Sequence, residues 1–290
     1  MLALIAGRGA LPAAVAAAQT VVPVVCTLEG HVPEGLAVDL SFRIERLGTF
    51  LNTLKKKGVT EVCFCGAIDR PQLDPSQIDA ATMPLVPVLA AALGSGEDGA
   101  LRAAIGVFEQ AGFAVRAAHA LAPDLIPPVG VLTTTRPGDG AEADVAVALR
   151  VLAAQGAADL GQACVVQNGS VRAREDASGT DAMLVGLGRS APPLLGDGDP
   201  VSGLMDMAGD MLGEAADWLS GEGAKPLLFK GPKPDQDIRV DLPTIGPQTA
   251  RNAVSAGLGG IVIVAGGVLV LDRARVIQIL NDAGLYLWVR

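Results

Sequence analysis

A chain of 290 residues that is 50% apolar is long enough for two modest domains and too apolar to remain disordered. With 22 Lys and Arg against 31 Asp and Glu, a net charge of −9, it lacks the basic surface that nucleic-acid backbones require, and 3% aromatics exclude a base-stacking platform. Cys26, Cys63, Cys65 and Cys164 are too few for a disulfide scaffold and read as buried thiols in a reducing compartment.

The N-terminal third alternates strand and helix signals. Leu2 to Ala6 is a short apolar strand, and an Ala-rich helix follows to about Gln19. Strand Val21 to Cys26, helix Phe50 to Lys57 and strand Val59 to Cys65 come next. A helix from Gly99 to Ala111, capped by Asp98, leads to strand Phe113 to Arg116. Repeated strand–helix–strand units imply a mainly parallel sheet with helices on its faces, a Rossmann-like domain over residues 1–132. Polar, Pro- and Gly-containing Thr133 to Gly140 reads as a linker, and 141–290 as a second α/β domain.

In that second half Glu142 to Ala154 reads as a helix. Asn168-Gly169 joins strands 163–167 and 170–174 as a hairpin, because both turn residues tolerate positive φ. Thr180 begins a helix, and Leu204 to Leu219 has helical periodicity with one acidic face. Pro247 opens a helix that Gly257 closes. The charge-free run 252–271 holds five glycines and two short β-branched segments, 261–264 and 268–271, which read as a strand pair, not a membrane span. The other such run, 9–28, carries Pro12 and Pro23 and lacks the leading cations of an export signal. Asp272 caps a helix to about Ala283, and Leu285 to Val289 is a last strand.

Chemistry concentrates in two places. Gly7-Arg8-Gly9-x-x-Pro12 lies between a strand and a helix, where glycines admit a phosphate and Arg8 adds charge. With Glu29 as a ribose-binding acid it is a truncated dinucleotide fingerprint; a tight turn without ligand is the plainer account. The denser site is Lys230 to Gly246, which holds Lys230, Lys233, Gln236, Asp237, Arg239, Asp241 and Thr244. If residues 236–242 are extended, Asp237, Arg239 and Asp241 share one face. Asp237 and Asp241 then suit a hard divalent cation, and Lys230, Lys233 and Arg239 suit phosphate oxygens. Thr180 and Asp181 at a helix start are a cap pair or a phosphate contact. Cys63 and Cys65 share a strand face as core thiols, and His119 reads as structural.

The segments Leu4–Pro12, Ala117–His119, Gly161–Ala163, Gly179–Leu184, Lys233–Gly246, Gly257–Ile261 and Ala265–Asp272 together resemble the UDP-2,3-diacylglucosamine pyrophosphatases of lipid A synthesis in Gram-negative bacteria, the type unrelated to the metallophosphoesterases. The resemblance implies two linked α/β domains and Mg²⁺-dependent hydrolysis (or another hard cation such as Mn²⁺) to UMP and 2,3-diacylglucosamine 1-phosphate. Water would attack the phosphorus on the sugar side. It implies Asp241 as the catalytic carboxylate. With the residue chemistry above, the expected catalytic set is Asp241, Asp237, Lys233 and Arg239, with Asp241 and Asp237 at the metal, and Gly7, Arg8, Gly9, Gln162, Thr180, Asp181, Lys230, Gln236 and Thr244 are the expected substrate contacts, in a cytoplasmic protein with at most peripheral contact with the inner membrane. The oligomeric state stays open, a homodimer included. A dinucleotide-dependent oxidoreductase and a noncatalytic nucleotide-sugar or lipid carrier are the alternatives. Two departures stand out: Arg8 replaces a glycine of the opening turn, and 188–225 is longer and more acidic than the family pattern.

Overall fold

The structure is a computed structural model that describes residues 1–69, 71–158, 160–190, 224–233 and 236–290. The expected helix 204–219, and all but the ends of the acidic stretch 188–225, lie outside these residues. The chain forms two compact units. The first contains Met1–Pro127, Asp235–Thr244 and Leu269–Leu271, and the second contains Pro128–Pro234, Ile245–Val268 and Asp272–Arg290.

In the first unit the order is β1 (Leu2–Ala6), α1 (Leu11–Ala17), β2 (Val24–Leu28), β3 (Leu40–Phe42), α2 (Leu47–Lys56), β4 (Glu61–Cys65), α3 (Val86–Gly94), α4 (Glu97–Gln110), β5 (Ala114–Val115) and α5 (Ala118–Leu121). Its sheet has the order β3-β2-β1-β4-β5, with every neighbouring pair parallel. This is the Rossmann-like arrangement, with its order reversing between β1 and β4. The sheet is buried on both faces. Ala3 and Ile5 of β1 pack with Leu54, Phe50 and Phe108, while Leu4 between them packs with Cys63, Cys65 and Val15. Near-continuous apolar strands follow from that two-sided burial.

Several boundaries move. β2 starts at Val24 because Val21 and Val22 are 74% and 87% exposed. β3 and α3 have no counterpart among the sequence expectations; β3 is only three residues long, and α3 lacks the polar face that reveals an amphipathic helix. α4 begins at Glu97 with Gly96 at its N-cap position, two residues earlier than a cap at Asp98 requires.

The second unit continues with β6 (Gly130–Val131), α6 (Ala141–Ala157), β7 (Ala163–Gln167), β8 (Ser170–Arg174), α7 (Thr180–Ser190) and β9 (Leu227–Lys230). After β10 (Thr244–Ile245), whose Thr244 belongs to the first unit, come α8 (Pro247–Ser255), β11 (Gly260–Ile263), β12 (Leu269–Val270), which also belongs to the first unit, α9 (Arg273–Asp282) and β13 (Tyr286–Val289). The sheet order is β6-β13-β11-β9-β7-β8, with β9, β11 and β13 parallel and antiparallel strands at both edges. Val145, Ala148 and Leu152 of α6 cover Phe229, Val262 and Cys164. The Asn168-Gly169 turn forms with φ of 50° and 77°, and buried Asp144 accepts from both of its N–H groups.

β11 and β12 do not pair with each other. β11 lies between β9 and β13, whereas β12 pairs with β10. The glycines between them carry the chain out of the large sheet instead of turning a hairpin. Thr133 to Gly140 belongs to the second unit. There Thr133 Oγ1 accepts from Leu287 N–H at 2.9 Å, and Asn281 Oδ1 accepts from Thr134 N–H at 2.8 Å.

Candidate active site

The carboxyl ends of β1 and β4 flank the switch point of the first sheet. Gly7 N–H donates to Cys65 O at 2.8 Å, and Arg8 and Ala67 exchange backbone hydrogen bonds of 2.8 and 3.0 Å. A Cβ on Gly7 would stand 2.4 Å from Ala67 O, so this glycine is required by the approach of two backbone segments. Gly9 has φ 92°, a turn conformation that favours glycine. Arg8 forms a two-pronged ion pair with Asp69, both bonds 2.6 Å, which draws the Asp69 carboxyl below its ordinary range. His31 Nε2 accepts from Asp69 N–H at 3.0 Å. The glycine pattern is thus accounted for by the fold, and Glu29 is solvent-exposed after β2.

The motif segment enters the same unit, but it is not extended. Asp237 O accepts from Val240 N–H and Asp241 N–H, each at 3.1 Å, so residues 238–240 form a turn. Asp237 caps that turn with its own side chain: Oδ1 accepts from Arg239 N–H at 3.1 Å. The expected shared strand face of Asp237, Arg239 and Asp241 therefore does not exist. Arg239 Nε and Nη2 grip Asp237 at 2.9 and 2.7 Å, and Nη1 reaches Glu109 of α4 at 2.7 Å. The Arg239 hydrogen bonds hold the Asp237 carboxyl below its ordinary range. Asp241 lies apart from this clamp; its Oδ2 accepts from the amide of Gln236, a residue that is 8% exposed. Thr244 Oγ1 donates to Leu242 O at 3.2 Å.

A second polar cluster belongs to the second unit. Lys230 ends β9, buried to 7% exposure, and its ammonium donates to Thr180 Oγ1 at 2.6 Å. Thr180 Oγ1 donates in turn to Glu175 Oε1 at 2.9 Å. Glu175 Oε2 accepts from Gln162 N–H at 2.8 Å, and Gly231 N–H donates to Gln162 O at 3.1 Å. Gln162 Oε1 is buried without a hydrogen-bond partner among the described residues. A buried acceptor in that condition is costly unless a ligand or water serves it. Lys233 is 8% exposed, and Asp181 lies in the exposed first turn of α7.

The structure thus divides the expected residues. Gly7, Arg8, Gly9, Gln236, Asp237, Arg239, Asp241 and Thr244 belong to the first unit, and Gln162, Thr180, Asp181, Lys230 and Lys233 to the second. Two carboxylates went unnoticed in the sequence. Glu109 carried no signal, because its partner Arg239 is 130 residues away. Glu175 follows a strand and precedes the Gly179 turn, a position that hints at a cap but not at a bridge to Lys230.

Among the described residues no group of three or more His, Cys, Asp or Glu side chains is placed to hold a metal ion. Arg239 binds both oxygens of Asp237, so this carboxylate is committed to the turn. Cys26, Cys65 and Cys164 are buried thiols held in the protonated form. Burial pushes the Cys26 and Cys164 thiols up to about 12, and the hydrogen bond with Cys63, together with burial, raises Cys65.

The family models for the LpxI N-terminal and C-terminal domains match residues 1–125 and 128–288. The chain is also similar to the UDP-2,3-diacylglucosamine pyrophosphatase LpxI of Caulobacter vibrioides, 36% identical over 243 residues, which cover 84% of this chain and 79% of that protein.

Proposed function

The chain belongs to the LpxI family, and from that membership we infer that it hydrolyses the diphosphate of UDP-2,3-diacylglucosamine to UMP and 2,3-diacylglucosamine 1-phosphate in lipid A biosynthesis. The observation that carries this reading is the match of both family domains, one after the other, over residues 1–125 and 128–288. The dinucleotide alternative rested on glycines that the turn geometry explains without a ligand.

In the proposed mechanism Asp241 orients the attacking water and takes its proton, or shares that work with a bound cation. Asp241 would hold a hard divalent cation such as Mg²⁺, which would supply Lewis-acid polarisation of the diphosphate. Lys230 and Lys233 supply fixed positive charge to phosphate oxygens, where charge grows in the transition state. The orphaned Gln162 Oε1 accepts a hydrogen bond from the substrate. Asp237 and Arg239 shape the turn that presents Asp241. No helix among the described residues is long and apolar enough to cross a membrane. We place the protein in the cytoplasm, with peripheral access to the inner membrane, because its substrate combines a nucleotide with two acyl chains.

The test is incubation with UDP-2,3-diacylglucosamine, with and without Mg²⁺, followed by separation of UMP. UMP release that depends on protein supports the reading. A correctly folded protein that releases none overturns it.

A further inference from the structure

Loops 29–34, 7–9 and 66–69 leave the carboxyl ends of the neighbouring parallel strands β2, β1 and β4, and they are tied to one another. Glu34 N–H donates to Gly9 O at 3.2 Å, and Arg8 pairs with Ala67 in an isolated antiparallel bridge. His31 is the side chain that joins the first loop to the third. It is buried, its N–H donates to Leu28 O at 3.0 Å, and Thr27 Oγ1 donates to its carbonyl. Its Nε2 faces Asp69 N–H at 3.0 Å, and its Nδ1 faces Glu29 O at 3.2 Å. A backbone N–H only donates and a carbonyl only accepts. Both partners are satisfied only when the ring carries one proton, on Nδ1.

We propose that His31 is a positioning residue of the pyrophosphatase, which acts through Asp69 to fix the Arg8 guanidinium at the carboxyl end of the sheet; the proposal rests on the reading above. Ligands of open α/β sheets bind outside the carboxyl ends of the strands, where strand order reverses, and Arg8 stands at that point. Asp69 takes one edge of the guanidinium, which leaves its remaining donors in a fixed plane for an anion. The Asp69 side chain is itself 70% exposed, so packing does not hold it, and the hydrogen bond to buried His31 supplies the anchor. The tautomer matters as well. Asp69 Oδ2 lies 3.8 Å from Nε2, and a ring with its proton on Nδ1 offers that oxygen no donor, so the carboxylate stays on Arg8. Asp69 and Asp241 line one cavity, so the anchored loop faces the carboxylate assigned to the water.

The chain has two histidines, so His31→Gln assigns their imidazole signals. At alkaline pH, long-range ¹H–¹⁵N correlation should show His31 protonated on Nδ1, and the reverse tautomer overturns the proposal. His31→Phe keeps a ring and removes both nitrogens. Its kcat for UMP release should fall about tenfold with KM changed far less, because misplaced charge costs the transition state more than the ground state. His31→Gln, whose Oε1 reaches the place of Nε2, should recover most of that loss, and the shorter His31→Asn should not. In an Arg8→Gln background the loss from His31→Phe should largely vanish, because the effect passes through Arg8. Fully additive losses, or equal kcat in the glutamine and asparagine variants at matched melting temperatures, overturn the proposal. If His31→Phe fails to fold, the tautomer and the glutamine–asparagine comparison decide. Wild-type protein that releases no UMP sinks the pyrophosphatase reading and this role with it, whereas an active wild type with an unaffected His31→Phe sinks the role alone.

Discussion

Lys230 Nζ lies 2.6 Å from Thr180 Oγ1, and the two residues are 7% and 6% exposed. An ammonium has only donors, so the hydroxyl must accept from it and place its own proton elsewhere. Glu175 takes that proton at 2.9 Å and also holds Gln162 N–H. One short relay therefore orders the end of β9, the start of α7 and the residue before β7. The burial of Lys230 is tolerable because its charge has hydrogen-bond partners.

Thr180→Val keeps the shape of the side chain and removes both hydrogen bonds. The expected loss is roughly 1–3 kcal/mol of stability, the scale for leaving buried polar groups unsatisfied. kcat/KM should fall with it, and Thr180→Ser should restore both quantities. Thermal melting and UMP-release kinetics on the three proteins check this; wild-type values for the valine variant would show that the relay is inert.

Asp241→Asn preserves an acceptor for Gln236 and removes the charge. Turnover should drop by roughly two to four orders of magnitude, far more than KM changes, because general-base and cation contacts act chiefly in the transition state. The melting temperature should stay near that of wild type, since Asp241 sits in a loop outside the sheet. Single-turnover and steady-state assays separate the two effects, and near-normal turnover would remove Asp241 from the mechanism.

Acid should unfold the first unit partly through Glu45, a side chain that is only 2% exposed. Burial pushes its carboxyl up, but hydrogen bonds from Arg43 and from Asp74 N–H outweigh burial and bring it down to about 2 from 4.5. A carboxyl depressed in the folded state stabilises above its unfolded value and loses that contribution as pH falls through the folded one. The wild-type melting temperature should therefore decline between about pH 4.5 and 2. Glu45→Gln should be less stable at neutral pH and show a shallower decline over that window, as measured by melting across a pH series.

Hydrolysis should also need a divalent cation. Protein stripped of metal and assayed in excess chelator should lose most of its activity, and Mg²⁺ or Mn²⁺ should restore it. Full activity under chelation would assign the whole of the charge neutralisation to Lys230, Lys233 and their neighbours.

Much of the fold was legible from local physics. The alternating apolar runs and glycine stops announced β1, β4 and the parallel sheet, because strands buried on both faces must be continuously apolar. Asn168-Gly169 specified its hairpin through positive φ, and Asp272 specified its helix by accepting from Arg275 N–H at 3.3 Å. The types and spacing of Lys233 to Gly246 carried the most specific part of the family resemblance.

What the sequence left undecided was the turn at 238–240 and every relation that depends on distant partners. The Asp237–Arg239 clamp bends 238–240 into a turn because local side-chain hydrogen bonds outcompete an extended strand, so alternation along the motif assigned the wrong shared face. Glu109 and Glu175 become partners of motif residues only after folding brings them within 2.9 Å of Arg239 or Thr180. The separation of β11 from β12 into different sheets follows from which strand edges were available, a choice that periodicity does not encode. Composition and short-range geometry thus determined most of the longer elements and the family resemblance, while tertiary structure decided which charges are paired across the chain and where apolar space remains, because those depend on contacts between residues far apart in the chain.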